Sequence, residues 1–125
     1  MVTILVTVPR PLRDLLLRPE TRARLQALGR VAWNEDGRNW SSAELATRLG
    51  DVHFILASWG LPPLNAEVLA QANRLRLVAY GAGSVKGFAT DELFARDIAV
   101  SHAAARIADS VAEMTLLLAM MGLRR

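Results

Sequence analysis

Between positions 2 and 8 the chain reads VTILVTV, apolar and β-branched on both faces. So short a run of that kind suits a strand buried between two layers of helix. Similar runs return as RVAWN (30–34), DVHFILAS (51–58), LRLVAYG (75–81) and IAVSHA (98–103). Helical patterns fill the intervals. Leu12, Leu15, Leu16, Leu25 and Leu28 recur at helical spacing up to Gly29, and Pro19 is expected to split that segment in two. WSSAELATRLG opens on Ser41 or Ser42 as N-cap, carries Glu44 in its first turn and is expected to end at Gly50. NAEVLAQAN is capped by Asn65, and TDELFARD is a short helix. A last helix is expected from about Ala108, capped by Asp109 or Ser110.

Five strands alternating with helices in 125 residues imply a parallel sheet covered on both faces. Right-handed crossovers leave few topologies. The expected one is α/β and flavodoxin-like, a three-layer sandwich of strand order 2-1-3-4-5. Residues 1–107 would form that sandwich, and residues 108–125 an extra apolar helix. Ligands of such sheets bind beyond the carboxyl ends of the strands, which points to the loops after Val8, Ser58, Gly81 and Ala103.

Composition narrows the chemistry. No cysteine is present, so disulfides and thiolate metal sites are excluded, and His53 and His102 lie too far apart to suggest zinc. The net charge of +3 is almost all arginine, with Lys86 the only lysine. Arg10, Arg13, Arg18, Arg22, Arg24, Arg74, Arg76, Arg124 and Arg125 are scattered along the chain, unlike the one-sided basic face of a nucleic-acid binder. The first residues lack a charged leader, and no apolar run approaches the ~20 residues of a membrane span. A cytoplasmic domain with neither nucleic acid nor membrane as partner is expected.

The carboxyl-end loops can be tested one at a time. PRPLRD, after the first strand, holds two prolines without N–H groups, which does not suit a flavin phosphate. ASWGLPP, after the third, has no acid, which rules out the chemistry of a phosphorylated receiver. GAGSVKG, after the fourth, resembles a nucleotide loop only at first sight. Lys86 precedes Gly87 instead of following it, and it occupies the third glycine position of G-x-G-x-x-G. Gly81, Ala82, Gly83 and Ser84 remain as a run of small residues that leave the main chain unscreened. Such a run offers successive N–H groups to an anion, or it is a corner that needs positive φ. The residues alone leave both readings open.

The segment LRLVAYGAGSVKGFATDELFARDIAVSHAAA, followed by DSVAEMTLLLAMMGLRR, resembles the amino-terminal part of D-isomer-specific 2-hydroxyacid dehydrogenases. The family pattern there is approximately L-K-x-I-x-x-x-G-V-G-x-D-x-I-D, then R-G-I-x-V, a small-residue loop and an A-E-containing helix. The likeness runs without gaps from Leu75 to about Leu118. ASWGLPPLNAEVLAQANRLR is similar to the preceding family segment, and the first fifty residues agree only in strand–helix order.

That resemblance implies a flavodoxin-like substrate domain, a helix crossing between domains, and a Rossmann domain that binds NAD or NADP. The sequence stops at Arg125, where the Rossmann domain would begin, so no cofactor site is expected here. The family's catalytic arginine and its glutamate–histidine pair belong to that other domain, and the chain is not expected to be active alone. The substrate implied is a small 2-hydroxy or 2-keto acid. The family's Val-Gly pair, whose amides hold the substrate carboxylate, falls on Gly83 and Ser84. Trp59 and Gly60 are similar to its substrate-side loop, and Tyr80 stands where many members have a cleft-facing arginine.

Departures are visible too. Lys86, Gly87, Phe88 and Ala89 replace the aspartate-containing run, and Ile107, beside Arg106, replaces a cleft asparagine. Asp97 stands where glycine is usual, a position expected to need positive φ. His102 lacks a spacing partner and is read as structural or solvated. Asp109 and Glu113 are read as a cap and a surface charge. Val111, Met114, Leu116, Leu117, Leu118, Met120, Met121 and Leu123 make the final helix apolar nearly all round. It is expected to dock on a Rossmann domain or on a second copy. The alternative reading is a non-catalytic flavodoxin-like assembly module that dimerises through this helix.

Overall fold

The computed structural model describes residues 1–124; Arg125, assigned above to the final helix, lies outside them. Strands β1 (Thr3–Val6), β2 (Arg30–Trp33), β3 (Phe54–Ala57), β4 (Leu77–Tyr80) and β5 (Ala99–His102) form one parallel sheet. Its order is β2-β1-β3-β4-β5, as the alternation predicts. The first crossover contains α1 (Arg10–Leu16) and α2 (Pro19–Leu28), and the second contains α3 (Ser42–Ala46). A single 3-10 turn (Val68–Gln71) and α4 (Asp91–Ala95) serve the next two, and α5 (Ala104–Gly122) follows β5.

Side-chain alternation sends Leu5, Ile55 and Val78 to one face of the sheet. There they meet Leu45, Leu49, Val68, Leu69, Phe88 and Leu93 in the larger core cluster. Ile4, Val6 and Val8 face the other way, toward Leu12, Leu17 and Leu25 of the first crossover, with Phe54 and Leu56 beside them. This second layer is incomplete. A cavity of about 270 Å³ lined by Leu25, Leu28, Phe54, Leu56, Leu77 and Ala79 lies over β3 and β4, and Leu28 is 68% exposed.

Several boundaries differ from the sequence expectation for local reasons. Pro19 does separate two helices, and it does so as the first residue of α2, where its missing N–H costs nothing. Ser41 is the N-cap of α3 and forms a reciprocal capping box with Glu44. That helix ends at Ala46, not at Gly50, because the chain tightens into i→i+3 bonds from Arg48 to Leu45 and from Leu49 to Ala46. The tighter winding keeps Leu45 and Leu49 both in the core. Asn65 accepts the Val68 amide at 3.0 Å, as a cap should, but what it caps is the 3-10 turn.

The last helix begins four residues earlier than expected, at Ala104, and Asp109 and Ser110 lie inside it. An alanine run propagates helix readily, and the His102 Nδ1 accepts the Ala104 N–H at 3.2 Å in place of a side-chain cap. The 107/108 boundary therefore falls within a continuous helix. Every described residue of α5 from position 108 onward is exposed, including the large apolar side chains named above. Among the described residues no helix is long and apolar enough to cross a membrane.

Asp97 adopts φ 55°, as its glycine-like position predicts. It closes a Schellman motif in which the Asp97 amide donates to Phe94 (3.0 Å) and the Ile98 amide to Leu93 (3.4 Å). Gly29 works differently. Its backbone is extended, and a Cβ there would sit 2.4 Å from the Val2 carbonyl oxygen, which also accepts the Arg30 amide at 2.9 Å. Gly29→Ala is expected to lower unfolding free energy by at least ~2 kcal/mol, since the β1–β2 edge must move to admit the methyl. Urea denaturation followed by circular dichroism measures this.

Candidate functional site

The carboxyl edge of the sheet is organised by β3. Beyond the last paired residues, the Thr7 amide donates to Leu56 at 3.0 Å and the Gly81 amide donates to Ala57 at 2.8 Å. The second bond draws the GAGS loop against the end of β3. On its other side the Ala82 carbonyl accepts the Ala103 amide at 3.0 Å, which ties the loop to the start of α5. Downstream, the Val85 carbonyl accepts the amides of Phe88 and Ala89, and the Phe88 carbonyl accepts that of Leu64 at 2.9 Å. Phe88 is buried, and its ring lies 4.8 Å from that of Tyr80.

Residues 83 and 84 form the span between these anchors. Neither the Gly83 N–H nor the Ser84 N–H finds an acceptor among the described residues. Gly83 is not held at positive φ, and a Cβ placed there would meet nothing within 4 Å. Backbone conformation and crowding therefore do not explain the glycine. The corner reading loses its physical basis, because Gly60, at φ 87°, is the one glycine with positive φ among the described residues.

The other predicted positions fall around this loop unevenly. Trp59 lies two residues beyond the end of β3 and is 55% exposed. Tyr80 ends β4 half-buried, with its ring turned toward the larger core cluster. His102 is exposed and pairs in register with Tyr80, with Nδ1 engaged by the Ala104 amide. Ile107 is half-buried, and Lys86 is exposed in the turn that follows the loop. Asp109 and Glu113 are exposed on α5. No cluster of metal-ligating side chains occurs among the described residues.

A dinucleotide makes a different demand on this loop. A pyrophosphate site needs a helix opening directly from the glycines, so that amide dipoles meet the phosphates. The next helix, α4, starts only at Asp91 and carries Asp91 and Glu92 in its first turn. The residues present do not fit that group.

Two features escaped the sequence reading. One is Ser58, 3% exposed just beyond β3, whose hydroxyl has no hydrogen-bond partner among the described residues. Strand parity was its available signal, because it places Ser58 with Phe54 and Leu56 on the α1 side. The other is an ion network around Arg13, a buried guanidinium on α1. It donates to Glu35 (3.0 Å), Asp14 (3.4 Å) and the Asn34 carbonyl (3.3 Å), and it lies 5.4 Å from the centre of the Trp33 ring. Arg10 adds a 3.3 Å contact to Glu35, and Arg22 pairs with Asp14 at 2.9 Å. These arginines are engaged by carboxylates of their own chain.

The hydrogen bond from Arg13, then the charges of Arg13 and Arg10, hold the Glu35 carboxyl below its ordinary value of 4.5. Glu44 is lowered likewise, first by its bond from Arg38. A depressed carboxyl contributes stability above its unfolded pKa and loses it as pH falls through the folded value. Glu35→Gln is expected to lower stability at pH 7 and to make the acid limb below about pH 4.5 shallower, since it removes one of these groups. Thermal melts between pH 2 and pH 7 read both effects.

The family model for the catalytic domain of D-isomer specific 2-hydroxyacid dehydrogenases matches residues 8–117. A search of curated proteins finds no match. Among solved structures, the chain is similar to a phosphoglycerate oxidoreductase from Rhizobium etli, at 26% identity and TM-score 0.66. That likeness covers 96% of this chain and 36% of the other. The PH0520 protein from Pyrococcus horikoshii OT3 superposes with TM-score 0.74 at 22% identity, covering 93% of this chain and 32% of that one. The TT0316 protein from Thermus thermophilus gives 0.68 at 23% identity, with 95% and 36% covered. The last two show a shared fold, and the chain spans about a third of the length of all three structures.

Proposed function

The chain belongs to the D-isomer specific 2-hydroxyacid dehydrogenases, matching their catalytic domain, and from that we propose that it is the substrate-side portion of such an enzyme. The observation that carries the proposal is the pair of unengaged amides at Gly83 and Ser84, in a loop pinned at both ends on the sheet's carboxyl edge. A carboxylate accepts hydrogen bonds at two oxygens, and amides already fixed in place bind it without a further ordering cost. Gly83 lets the ligand approach because no side chain intervenes. Tyr80, whose ring lies 4.8 Å from that of Phe88, and the exposed Trp59 are assigned to the substrate side with it.

The chain's own residues bind and orient the acid. Hydride transfer in this family implies a nicotinamide, NAD or NADP, and that group supplies the redox chemistry when bound. Because the 81–87 loop does not fit a dinucleotide, its cradle and the proton-transferring pair are assigned to a Rossmann unit beyond these 125 residues. The isolated chain is accordingly expected to show no dehydrogenase activity. Glycolate or lactate should shift the Gly83 and Ser84 amide resonances saturably, at millimolar concentration, and Ser84→Pro should abolish the response. Micromolar NADH affinity by calorimetry would overturn the division of labour.

A second reading rests on α5. From Val111 to Met121 its large apolar side chains are all more than half exposed, and such a surface marks a docking strip. The partner is either the nucleotide-binding unit or a second copy of the chain. Light scattering over a concentration series should show a dimer that Leu117→Glu together with Met121→Glu dissociates. A strict monomer with intact α5 helicity would leave the nucleotide-binding unit as the partner.

A further inference from the structure

Ser58 is a polar residue in a place where polarity needs a reason. The alternation of β3 puts Ala57 in the larger core cluster and Leu56 on the α1 side, and its parity continued by one residue puts Ser58 on the α1 side too. The hydroxyl is buried and makes no hydrogen bond among the described residues, although burying one unpaired costs stability that alanine would not. Ser58 lines a cavity of about 200 Å³ together with Val8, Leu16, Leu17, Leu56, Ala57 and Gly81. That cavity lies at the carboxyl ends of β1, β3 and β4, the edge at which doubly wound sheets take their ligands. Gly81 is also the first residue of the amide loop. Gly83 follows two positions later, so the cavity rim and the carboxylate amides are no more than about 7 Å apart along the backbone.

Resting on the carboxylate reading above, we infer that this cavity receives the side chain of the bound 2-hydroxy acid. That side chain is uncharged and aliphatic, with one hydrogen-bonding oxygen that meets the Ser58 hydroxyl. The walls select the aliphatic part, because every side chain among them other than that of Ser58 is aliphatic. A second charge is rejected, since the lining holds no group of opposite sign and a buried unpaired ion is costly. The hydroxyl both donates and accepts, so a ligand hydroxyl, ether or carbonyl satisfies it equally.

The test is a titration of the isotopically labelled 125-residue chain with four acids: glycolate, 2-hydroxypentanoate, 2,5-dihydroxypentanoate and 2-hydroxyglutarate. All four should move the Gly83 and Ser84 amides. The two five-carbon monoacids should also move the Leu16, Leu17 and Leu56 methyls, which glycolate leaves in place. 2,5-Dihydroxypentanoate should bind about fivefold tighter than its 5-deoxy analogue, the worth of one hydrogen bond to a buried group, and 2-hydroxyglutarate should bind more weakly than both. Ser58→Ala should remove the difference between the dihydroxy acid and the analogue. It should also leave the melting temperature unchanged or raised, because the hydroxyl has no internal partner. Silent leucine methyls, an undiminished preference in Ser58→Ala, or a melting temperature lowered by several degrees would each overturn the inference while the carboxylate site stood. If none of the acids moves Gly83 and Ser84, the carboxylate reading itself fails, and this inference with it.

Discussion

Strand β3 is hydrogen-bonded along both edges, to β1 through Phe54, Ile55 and Leu56 and to β4 through all four of its residues. That two-sided pairing is continued past the strand ends, where His53 joins Thr3 and Arg76 at one end and Ala57 receives the Gly81 amide at the other. A parallel ladder of this kind leaves no freedom of register, because a slip of one residue would turn Ile55 and Ala57 out of one core and Leu56 out of the other. The position of the GAGS loop, the burial of Ser58 and the exposure of Trp59 are all consequences of where β3 stops.

The two helical layers do unequal work. On one face α3, the 3-10 turn and α4 seal a large cluster in which Leu45, Leu64, Leu69 and Leu93 are fully buried. On the other, α1 and α2 cover β1 and part of β3, and the apolar surface of Leu77 and Ala79 borders an open cavity. In a doubly wound sheet the helix after the last strand ordinarily returns across such a face. Here α5 extends outward with its apolar side chains in solvent, so the chain carries two unsatisfied apolar surfaces on separate elements.

Charge does a different job from the one its net value suggests. Several arginines are engaged by carboxylates: Arg10 and Arg13 by Glu35, Arg13 and Arg22 by Asp14, Arg38 by Glu44 and Arg96 by Glu92. Most of these pairs are exposed and contribute little singly. Arg13 differs because it is buried, and its carboxylate and carbonyl partners compensate the lost hydration. It fastens α1 to the end of β2, beside the loop that closes the carboxyl edge.

The sequence by itself determined the strand–helix alternation, and with it the sheet order, because runs apolar on both faces permit only a covered parallel sheet. The family pattern marked the left-handed position at Asp97, while side chains within a few residues indicated the cap at Asn65 and narrowed another to Ser41 or Ser42. The same pattern, carried by contiguous residues, also pointed to Gly83 and Ser84. Tertiary structure decided what depends on atoms far apart in the chain. Only packing showed that Gly29 is required by the Val2 carbonyl and that Gly83 is unconstrained by its own fold. The orphaned Ser58 hydroxyl and the Arg13–Glu35 bridge likewise arise from three strands and α1 meeting at one edge. The start of α5 was missed because a histidine on β5, not a side chain of the helix, accepts its first amide. Local bonds are written in short windows of sequence, whereas closeness between distant segments exists only once the ladder has set the register.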